Sequence, residues 1–304
     1  MTPGADHLGA SGNLRGAVFM TVGMFGFVTN DMFAKLASQD LPIGQIIFIR
    51  GLFTTVIIGA IALATGALAK LGELRRPAVG LRTFGEMCST VLFLTALFNS
   101  PIANATAILQ AVPIVMTGVA AIFLGEAVGW RRWLAVLVGF AGMLMIVQPG
   151  GAAFNAFSLF AVGAVFTMTI RDLATRWLPL AVPAILVTLV SAIAVTLTGG
   201  ALGLAENWRM PEPITFGYLL CSAISLTGGL FFLVEAMRHG EMSAISPFRY
   251  TILIPAFVYG IFIWGETPNL VAVTGIILVA GSGLYVLYRE GRQRAARKAA
   301  ARRL

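Results

Sequence analysis

The composition of this 304-residue chain excludes a water-soluble globular protein. Of its residues 58% are hydrophobic and 11% are charged, against about 45–50% and about 25% in soluble domains. The charged residues lie between and after long apolar stretches, which predicts an all-α membrane protein. The net charge of +8 does not favour a nucleic-acid partner, because seven Lys and Arg residues fall in the last 16 positions. That run is interpreted as a cytoplasmic tail attracted to anionic lipid.

Cofactor and metal chemistry find little support in the sequence. The two cysteines, Cys88 and Cys221, lie inside apolar segments, which favours neither a disulfide framework nor a zinc cluster. The two histidines, His7 and His239, lie outside the apolar cores and lack metal-ligand spacing. The sequence has no G-x-x-x-x-G-K-[ST] phosphate loop, so it does not predict ATP hydrolysis by that route. We therefore expect no cofactor, no metal site and no enzyme activity.

Ten apolar segments are long enough to cross a membrane. A hydrocarbon core of about 30 Å needs about 20 helical residues. The predicted spans cover residues 16–37, 44–65, 79–98, 103–124, 130–148, 156–177, 183–204, 214–235, 243–264 and 270–288. The connectors between them carry Pro and Gly, and none is long enough for a second soluble domain.

The distribution of Lys and Arg predicts the orientation of these spans. With an even number of spans, both chain ends share one side of the membrane. Sixteen Lys and Arg residues fall on that side, the loop group Lys70, Arg75, Arg76 and Arg82 among them, against two on the other side. Because positively charged loops face the cytoplasm, the sequence predicts a multi-pass inner-membrane protein with both termini cytoplasmic.

Two landmarks recur along the chain at nearly one spacing. Asn-Asp-Met-Phe-Ala-Lys at positions 30–35 has a counterpart in Arg-Asp-Leu-Ala-Thr-Arg at 171–176. We call the spacing from Asp31 to Asp172 the repeat offset. Gly-Glu at 125–126 recurs at 265–266, a spacing shorter by a single position. This agreement predicts two five-span repeats, residues 16–148 and 156–288, between an N-terminal tail (1–15) and a basic tail (289–304). Because five is odd, the second repeat must be inverted relative to the first.

The strongest motifs lie in the fourth and ninth spans. Ala-Asn-Ala-Thr-Ala-Ile-Leu-Gln at residues 103–110 leads through Pro113 to Phe-Leu-Gly-Glu at 123–126, and a second copy runs from Pro255 to Gly-Glu at 265–266. These stretches resemble the EamA-type, ten-helix transporters of the drug/metabolite transporter superfamily. The resemblance implies a small-molecule carrier that works by alternating access, with its ligand in a central cavity between the two halves.

The charged residues near span ends are candidates for gating or proton coupling. Asp31 and Lys35 are spaced i, i+4 and share a helical face, as do Asp172 and Arg176. Each pair is either a local ion pair near the membrane interface or part of a gate that responds to protons. If the repeats are inverted, the Asp31 pair lies near the periplasmic end and the Asp172 pair near the cytoplasmic end.

Two arginines lie deeper in the apolar segments and predict a substrate with an anionic group. Arg50 and Arg249 each stand about six residues into a span, about 9 Å deep at 1.5 Å per residue. Guanidinium groups suit bidentate recognition of a carboxylate or phosphate, and Pro247 frees a backbone carbonyl beside Arg249. The alternative is that backbone carbonyls and lipid headgroups hold both arginines. The candidate substrate-binding residues are Arg50, Gln110, Arg249, Tyr250, Ser246 and Phe93.

The sequence thus predicts a secondary transporter of a small organic metabolite, amino-acid-like or otherwise anionic and amphipathic. Its partners are that substrate and membrane lipid, and a homodimer is one alternative for its oligomeric state. Import of a vitamin-like compound such as riboflavin is an alternative within the resemblance. A lipid-modifying membrane enzyme or a passive channel is the alternative outside it. The enzyme needs carboxylates gathered at one membrane face, whereas Asp31, Glu86, Asp172 and Glu235 are predicted at both.

Overall fold

A computed structural model describes residues 10–123, 130–148, 155–179, 181–239 and 245–301 of the chain. Its α-helices are α1 (Ala10–Ala37), α2 (Ile43–Ala64), α3 (Pro77–Asn99), α4 (Ile102–Leu109), α5 (Val112–Phe123), α6 (Trp130–Val147), α7 (Ser158–Arg176), α8 (Ala184–Gly203), α9 (Pro213–His239), α10 (Leu253–Trp264) and α11 (Leu270–Ala301). Two 3₁₀ segments, Ala67–Leu74 and Ser246–Ile252, precede α3 and α10. The helix α11 continues to Ala301, well past the predicted end of the tenth span at position 288.

Six of these helices are long and apolar enough to cross a membrane, namely α1, α2, α3, α7, α8 and α9. Four shorter apolar helical stretches cover 102–116, 133–147, 248–264 and 270–285. Large apolar side chains are exposed on the helices, as at Val56, Phe262 and Leu270. Exposed apolar faces and internally satisfied backbones are what contact with lipid requires.

The fourth predicted span is interrupted, and the ninth changes from 3₁₀ helix to α-helix along its length, whereas the sequence predicted each as one continuous segment. The α-helix stops at Leu109, turns at Gln110 and Ala111, and resumes at Val112. Pro113 explains this interruption, because proline has no N–H to donate and its ring clashes with the carbonyl four residues back. In the ninth span the 3₁₀ segment runs into α10 and Pro255 likewise lacks an N–H, while the Leu253 N–H bonds to the Tyr250 carbonyl in a 3₁₀ turn.

The chain divides into two compact units. Unit 1 comprises Met1–Val28, Thr106–Phe154 and Gly228–Leu304, and unit 2 comprises Thr29–Ala105 and Asn155–Thr227. The helices α1 and α9 therefore contribute their two ends to different units.

Unit 2 is held together by close approach of α2 to α8 and of α3 to α7. Glycines make this approach feasible, as small residues do in membrane helix pairs. A Cβ on Gly51 would overlap the Thr196 hydroxyl, and one on Gly199 would lie 2.5 Å from the Phe48 nitrogen. A Cβ on Gly85 would lie 3.0 Å from the Cβ of Arg171. The α3–α7 contact is thus closest beside Glu86.

In unit 1, glycines likewise allow other helices to approach each other closely. A Cβ on Gly142 of α6 would lie 2.8 Å from the carbonyl oxygen of Gly275 on α11. On α1, a Cβ at Gly23 would lie 3.1 Å from the carbonyl oxygen of Gly229 on α9. Gly283 lies directly under the Tyr250 ring, so that a Cβ there would overlap the tyrosine hydroxyl. These contacts fix α11 against the 3₁₀ segment of the ninth span.

Candidate functional site

A buried polar cluster in unit 2 joins α1, α2 and α9. The Arg50 Nη1 donates to Asn30 Oδ1 at 3.1 Å, and the Ser222 hydroxyl donates to the same oxygen at 2.8 Å. Asn30 Nδ2 in turn donates to Asp31 Oδ1 at 2.9 Å. All four side chains are at least nine-tenths buried. We call Asn30, Asp31, Arg50 and Ser222 the Asn30 cluster.

The contacts of the Asn30 cluster explain how a charged Arg50 side chain is accommodated inside a membrane span. An ionised side chain at the bilayer centre costs about 2.5–3.5 kcal/mol on insertion scales unless it is paired or hydrated. Arg50 faces the negative charges of Asp31 and Glu86. It is therefore paired within the protein and is not held by lipid headgroups.

A second polar cluster in unit 2 joins α3, α7 and α8. Arg82 Nη1 donates to the Ser191 hydroxyl at 2.6 Å, and Arg171 holds Asp172 Oδ1 at 2.8 Å. Glu86 lies between the two arginines, 3.9 Å from Arg82 Nη2 and 3.4 Å from Arg171 Nη1. The charged side chains of this cluster are 17–34% exposed, so it is more open than the first. We call Arg82, Glu86, Arg171, Asp172 and Ser191 the Glu86 cluster.

Glu86 connects the two clusters, because its carboxylate also acts on Arg50. Three carboxylates, Asp31, Glu86 and Asp172, thus balance the guanidinium groups of Arg50, Arg82 and Arg171. The members come from α1, α2, α3, α7, α8 and α9, which are the six helices long enough to cross a membrane. A charge network of this kind inside apolar helices is a candidate functional site, because intramembrane charges are costly and are rarely kept for structure alone.

The residues of the two clusters correspond in sequence position. The repeat offset relates Asn30 to Arg171, Asp31 to Asp172, and Arg50 to Ser191. Arg82 and Ser222 stand at the slightly shorter spacing that also relates the two Gly-Glu motifs. Glu86 breaks the pattern, because by the spacing of Arg82 and Ser222 its counterpart is the apolar Leu226.

Asp31 and Asp172 each contact a residue that the i, i+4 spacing did not predict. Asp31 bonds to Asn30 and faces Arg50, while Lys35 Nζ donates to the Ser100 carbonyl at 2.7 Å. Ser100 caps the C-terminus of α3, where unsatisfied carbonyls and the helix dipole favour a cation. Asp172 pairs with its neighbour Arg171. The side chain of Arg176 lies outside the described residues.

In unit 1 the fourth and ninth predicted spans meet. The side-chain amide of Gln110, in the turn between α4 and α5, donates to the backbone carbonyl of Arg249 at 3.5 Å. The separation of those residues in the sequence is close to the repeat offset. The Tyr250 hydroxyl and the Thr106 hydroxyl are buried, and within the described part of the chain neither has a hydrogen-bond partner. Unsatisfied hydroxyls beside the turn at Gln110 and in the 3₁₀ segment are suitable groups to receive a solute.

The remaining predicted binding residues are spread over both units. Arg50 belongs to unit 2, whereas Gln110, Arg249 and Tyr250 belong to unit 1. The Arg249 side chain is exposed, and Phe93 is a buried residue of α3. The side chain of Ser246 lies outside the described residues.

A shallow cavity of about 420 Å³ in unit 2 lies between the α1–α2 and α8–α9 connections. Its walls are tied together by side chains. Glu206 accepts from the Gly44 N–H at the start of α2, and Thr215 donates to Asp40. Gln45 donates to the Arg209 carbonyl and accepts from the Arg209 N–H. These bonds make the region a clamp between two loops.

Sequence reasoning missed most of the Glu86 cluster. It counted Arg82 among the cytoplasmic loop cations, but α3 begins at Pro77, a favoured first helical residue, so Arg82 lies inside the helix. It assigned no role to Arg171 or to the two serines. Two signals were present: Arg82 and Glu86 are spaced i, i+4, and Arg50 and Arg82 each have a serine counterpart in the other repeat.

Comparison with known proteins decides what kind of protein carries this site. Residues 14–148 match the EamA-like transporter family. The first half of the chain thus carries an EamA-like transporter domain, of the type found in the drug/metabolite transporter superfamily. The matches to transporters identify the chain as a transporter and not as an enzyme. It is a multi-pass inner-membrane protein that moves a small molecule.

Several named transporters are similar over most of their length. The S-adenosylmethionine uptake transporter of Rickettsia prowazekii (strain Madrid E) is 24% identical over 281 residues, 91% of this chain and 94% of the relative. The riboflavin transporter of Vibrio cholerae serotype O1 is 26% identical, with 84% of this chain and 87% of the relative covered. The pseudopaline exporter CntI of Pseudomonas aeruginosa (strain UCBPP-PA14) is 24% identical, with coverage of 87% and 93%.

A solved crystal structure has the same fold. It superposes with a TM-score of 0.60 at 17% identity and covers 92% of this chain and 99% of its own. At that identity the likeness concerns the fold alone. The similar proteins include both an uptake transporter and an exporter.

Proposed function

We propose that this transporter is a secondary carrier that moves a small organic metabolite by alternating access between two inverted five-span repeats, residues 16–148 and 156–288. The observation that carries the proposal is the correspondence of the Asn30 and Glu86 clusters at the repeat offset. A duplicated, inverted scaffold presents one such cluster in each orientation.

The helix pairing supports the inverted repeat. With that offset, α1 corresponds to α7, α2 to α8, α3 to α9 and α6 to α11. The pairs α2–α8 and α6–α11 then each join a span to its own counterpart. The pair α3–α7 corresponds to α9–α1, which is also in contact through Gly23 and Gly229. If a two-fold axis relates the repeats, each helix pair either joins a helix to its own counterpart or has a second, equivalent pair. The pairs described above follow this rule.

The two clusters are suited to act as alternating gates. Each cluster holds helices of the first repeat against helices of the second: Ser222 of α9 bonds to Asn30 of α1, and Ser191 of α8 bonds to Arg82 of α3. With both termini cytoplasmic, the Asn30 cluster lies toward the periplasm and the Glu86 cluster toward the cytoplasm. Opening one while the other stays closed exposes the solute to one side at a time.

The solute we favour carries an anionic group on an amphipathic body, as amino-acid-like metabolites do. The arginines of the network and the turn at Gln110, where α4 ends and α5 begins, support this choice, because half-helix ends and guanidinium groups receive carboxylates. S-adenosylmethionine has a carboxylate, whereas riboflavin is uncharged. The names of the relatives therefore supply two probes of contrasting charge.

Counterflow in proteoliposomes tests the proposal. Vesicles with purified full-length protein are loaded with unlabelled S-adenosylmethionine or riboflavin, and entry of the labelled compound is measured. A carrier produces a transient, saturable overshoot that empty vesicles lack, and we expect it for the carboxylate-bearing probe. Entry that follows the gradient without overshoot identifies a passive channel and contradicts alternating access.

A matched pair of variants links transport to the site. Arg50→Gln removes a buried arginine of the network, and Arg76→Gln removes an exposed one that pairs with Glu73 outside the spans at 2.7 Å. We expect Arg50→Gln to abolish counterflow and Arg76→Gln to retain it. Equal rates in the two variants would remove the Asn30 cluster from the mechanism.

A further inference from the structure

The Glu86 carboxylate lies beside two guanidinium groups and within electrostatic range of a third. Arg82 approaches it from its own helix α3, Arg171 from α7, and Arg50 acts on it from α2. The other groups around it are Asp172 of α7, Ser191 of α8 and, beyond Arg50, Asp31 of α1. Among the residues that the structure describes, no lysine or histidine belongs to this set.

Glu86 is held more loosely than the other charged members of its cluster. Charge-assisted N–H···O bonds are usually about 2.7–2.9 Å long, and Arg171 makes such a bond to Asp172. The contacts of Glu86 are longer, 3.4 and 3.5 Å to Arg171 and 3.9 Å to Arg82. Arg82 has its short bond to an uncharged group, the Ser191 hydroxyl. Glu86 therefore lies between two arginines without a short hydrogen bond to either.

The charge balance of the network limits what can enter that space. Three carboxylates and three guanidinium groups leave it neutral when all are ionised. An incoming anion adds a fourth negative charge inside apolar helices, which is costly. Protonation of Glu86 restores neutrality and frees Arg82 and Arg171 to bind the anion. The partial exposure of both arginines, 17% and 19%, gives a solute access.

We propose that Arg82 and Arg171 form the subsite for the anionic group of the solute, that Glu86 occupies this subsite in its absence, and that each anion bound is accompanied by one proton. The proton comes from the solvent and converts the Glu86 carboxylate to a carboxylic acid, and it is released when the anion leaves. No covalent bond is made or broken besides that O–H bond. The inference rests on the proposed carrier function. It means that the carrier moves each anion together with one proton.

Proton uptake on binding tests the inference without knowledge of the natural solute. Benzoate serves as an amphipathic carboxylate probe and benzamide as its uncharged analogue. Each is titrated into full-length protein in detergent at weak buffering near pH 7, with empty micelles as the blank, and pH and heat are recorded. We expect uptake of about one proton per benzoate and none with benzamide. Linkage then requires benzoate affinity to rise about tenfold per unit fall in pH.

Three variants locate the effect. Glu86→Gln is expected to bind benzoate about tenfold more tightly than the wild type at pH 7, with no proton uptake and no pH dependence. Arg82→Gln and Arg171→Gln are expected to weaken binding at least tenfold. Glu73→Gln is the matched control, since it removes a carboxylate paired with an arginine outside the network, and it should behave as the wild type does.

The outcome is decided by the wild type even if a variant fails to fold. Absence of benzoate binding, or binding without proton uptake, overturns the inference. Unchanged binding in Arg82→Gln and Arg171→Gln would place the subsite elsewhere. A wild type that takes up protons with benzoate but shows no counterflow of any solute contradicts the carrier and leaves the subsite standing. Counterflow of a solute without linked proton uptake supports the carrier and contradicts the subsite.

Discussion

Arg50 and Ser191 occupy corresponding positions, related by the repeat offset, in two different polar clusters. Arg50 is a donor to Asn30 at 3.1 Å, whereas Ser191 accepts from Arg82 at 2.6 Å. In the other direction, the counterpart of Arg82 is Ser222. In the proposed repeats the arginine and the serine thus stand on exchanged helices, and each cluster contains an arginine, a serine and an aspartate.

The pairing of Arg50 with Asp31 predicts a rescue. Arg50→Gln leaves the Asp31 carboxylate buried with no cation facing it on α2, and breaking a buried pair costs about 3–5 kcal/mol. Asp31→Asn in the same chain removes the orphaned charge. We expect Arg50→Gln to lower the thermal midpoint in detergent and the double variant to recover at least half of the loss. Additive destabilisation by the two changes would show that the residues do not interact.

The close approach of α3 to α7 predicts a strong dependence on Gly85. A Cβ there lies 3.0–3.1 Å from the Arg171 backbone and Cβ, so Gly85→Ala must push the helices apart and shift Arg171 from Glu86. Overpacking of this kind costs about 1–3 kcal/mol. Gly80→Ala on the same helix is the control, because a Cβ there meets nothing within 4 Å.

We expect the two alanine variants to change stability in opposite directions. Alanine favours a helix over glycine by about 1 kcal/mol, so Gly80→Ala should raise the midpoint of thermal unfolding slightly while Gly85→Ala lowers it. Counterflow should fall in Gly85→Ala alone. Equal stabilisation of both variants would show that α3 and α7 are not in close contact at Gly85.

The apolar helices and the repeat offset were accessible from the sequence because both depend on local composition and spacing. Asp31 and Asp172 were identified through that offset, and Arg50 through its depth in a span. The partners of these residues were not accessible. Asp31 faces Arg50 on the next helix, and Lys35 donates to the Ser100 carbonyl, since pairing depends on how each helix is rotated against its neighbours.

The fourth and ninth predicted spans show a second limit of sequence reasoning. Hydropathy over residues 103–124 and 243–264 describes two continuous apolar segments, yet Pro113 and Pro255 each remove a backbone donor. Whether a proline kinks a helix or divides it depends on which groups satisfy the freed carbonyls. Here the amide of Gln110 reaches the Arg249 carbonyl, a contact between residues that no local pattern connects.

Removal of the buried Tyr250 hydroxyl should change the thermal stability of the protein and its affinity for the solute in different ways. Within the described residues the hydroxyl has no hydrogen-bond partner, and a buried unsatisfied polar group costs about 1–3 kcal/mol. Tyr250→Phe should therefore leave the thermal midpoint unchanged or raise it. If the hydroxyl receives the solute beside Arg249, the same variant raises the KM of counterflow several-fold. An unchanged KM would exclude Tyr250 from binding.

Gly283 provides an independent check on the position of the Tyr250 ring. A Cβ on Gly283 overlaps the tyrosine hydroxyl, whereas one on Gly281, two residues earlier in α11, meets nothing within 4 Å. We expect Gly283→Ala to displace the ring and lower both stability and counterflow. Gly281→Ala should leave both intact. Indistinguishable behaviour of the two variants would contradict the packing of α11 against the 3₁₀ segment.

The clamp between the loops predicts graded effects at Gln45. Its amide donates to the Arg209 carbonyl and accepts from the Arg209 N–H, so Gln45→Ala loses both bonds, each with a net value of about 0.5–1.5 kcal/mol. Gln45→Glu keeps the acceptor and places a negative charge in the first turn of α2, where the helix dipole favours it. The midpoint of thermal unfolding should therefore fall in the order wild type, Gln45→Glu, Gln45→Ala, and proteolysis between residues 204 and 212 should accelerate in the same order. A glutamate variant less stable than the alanine variant would mean that repulsion between the new carboxylate and the Arg209 carbonyl outweighs the retained acceptor bond and the helix dipole.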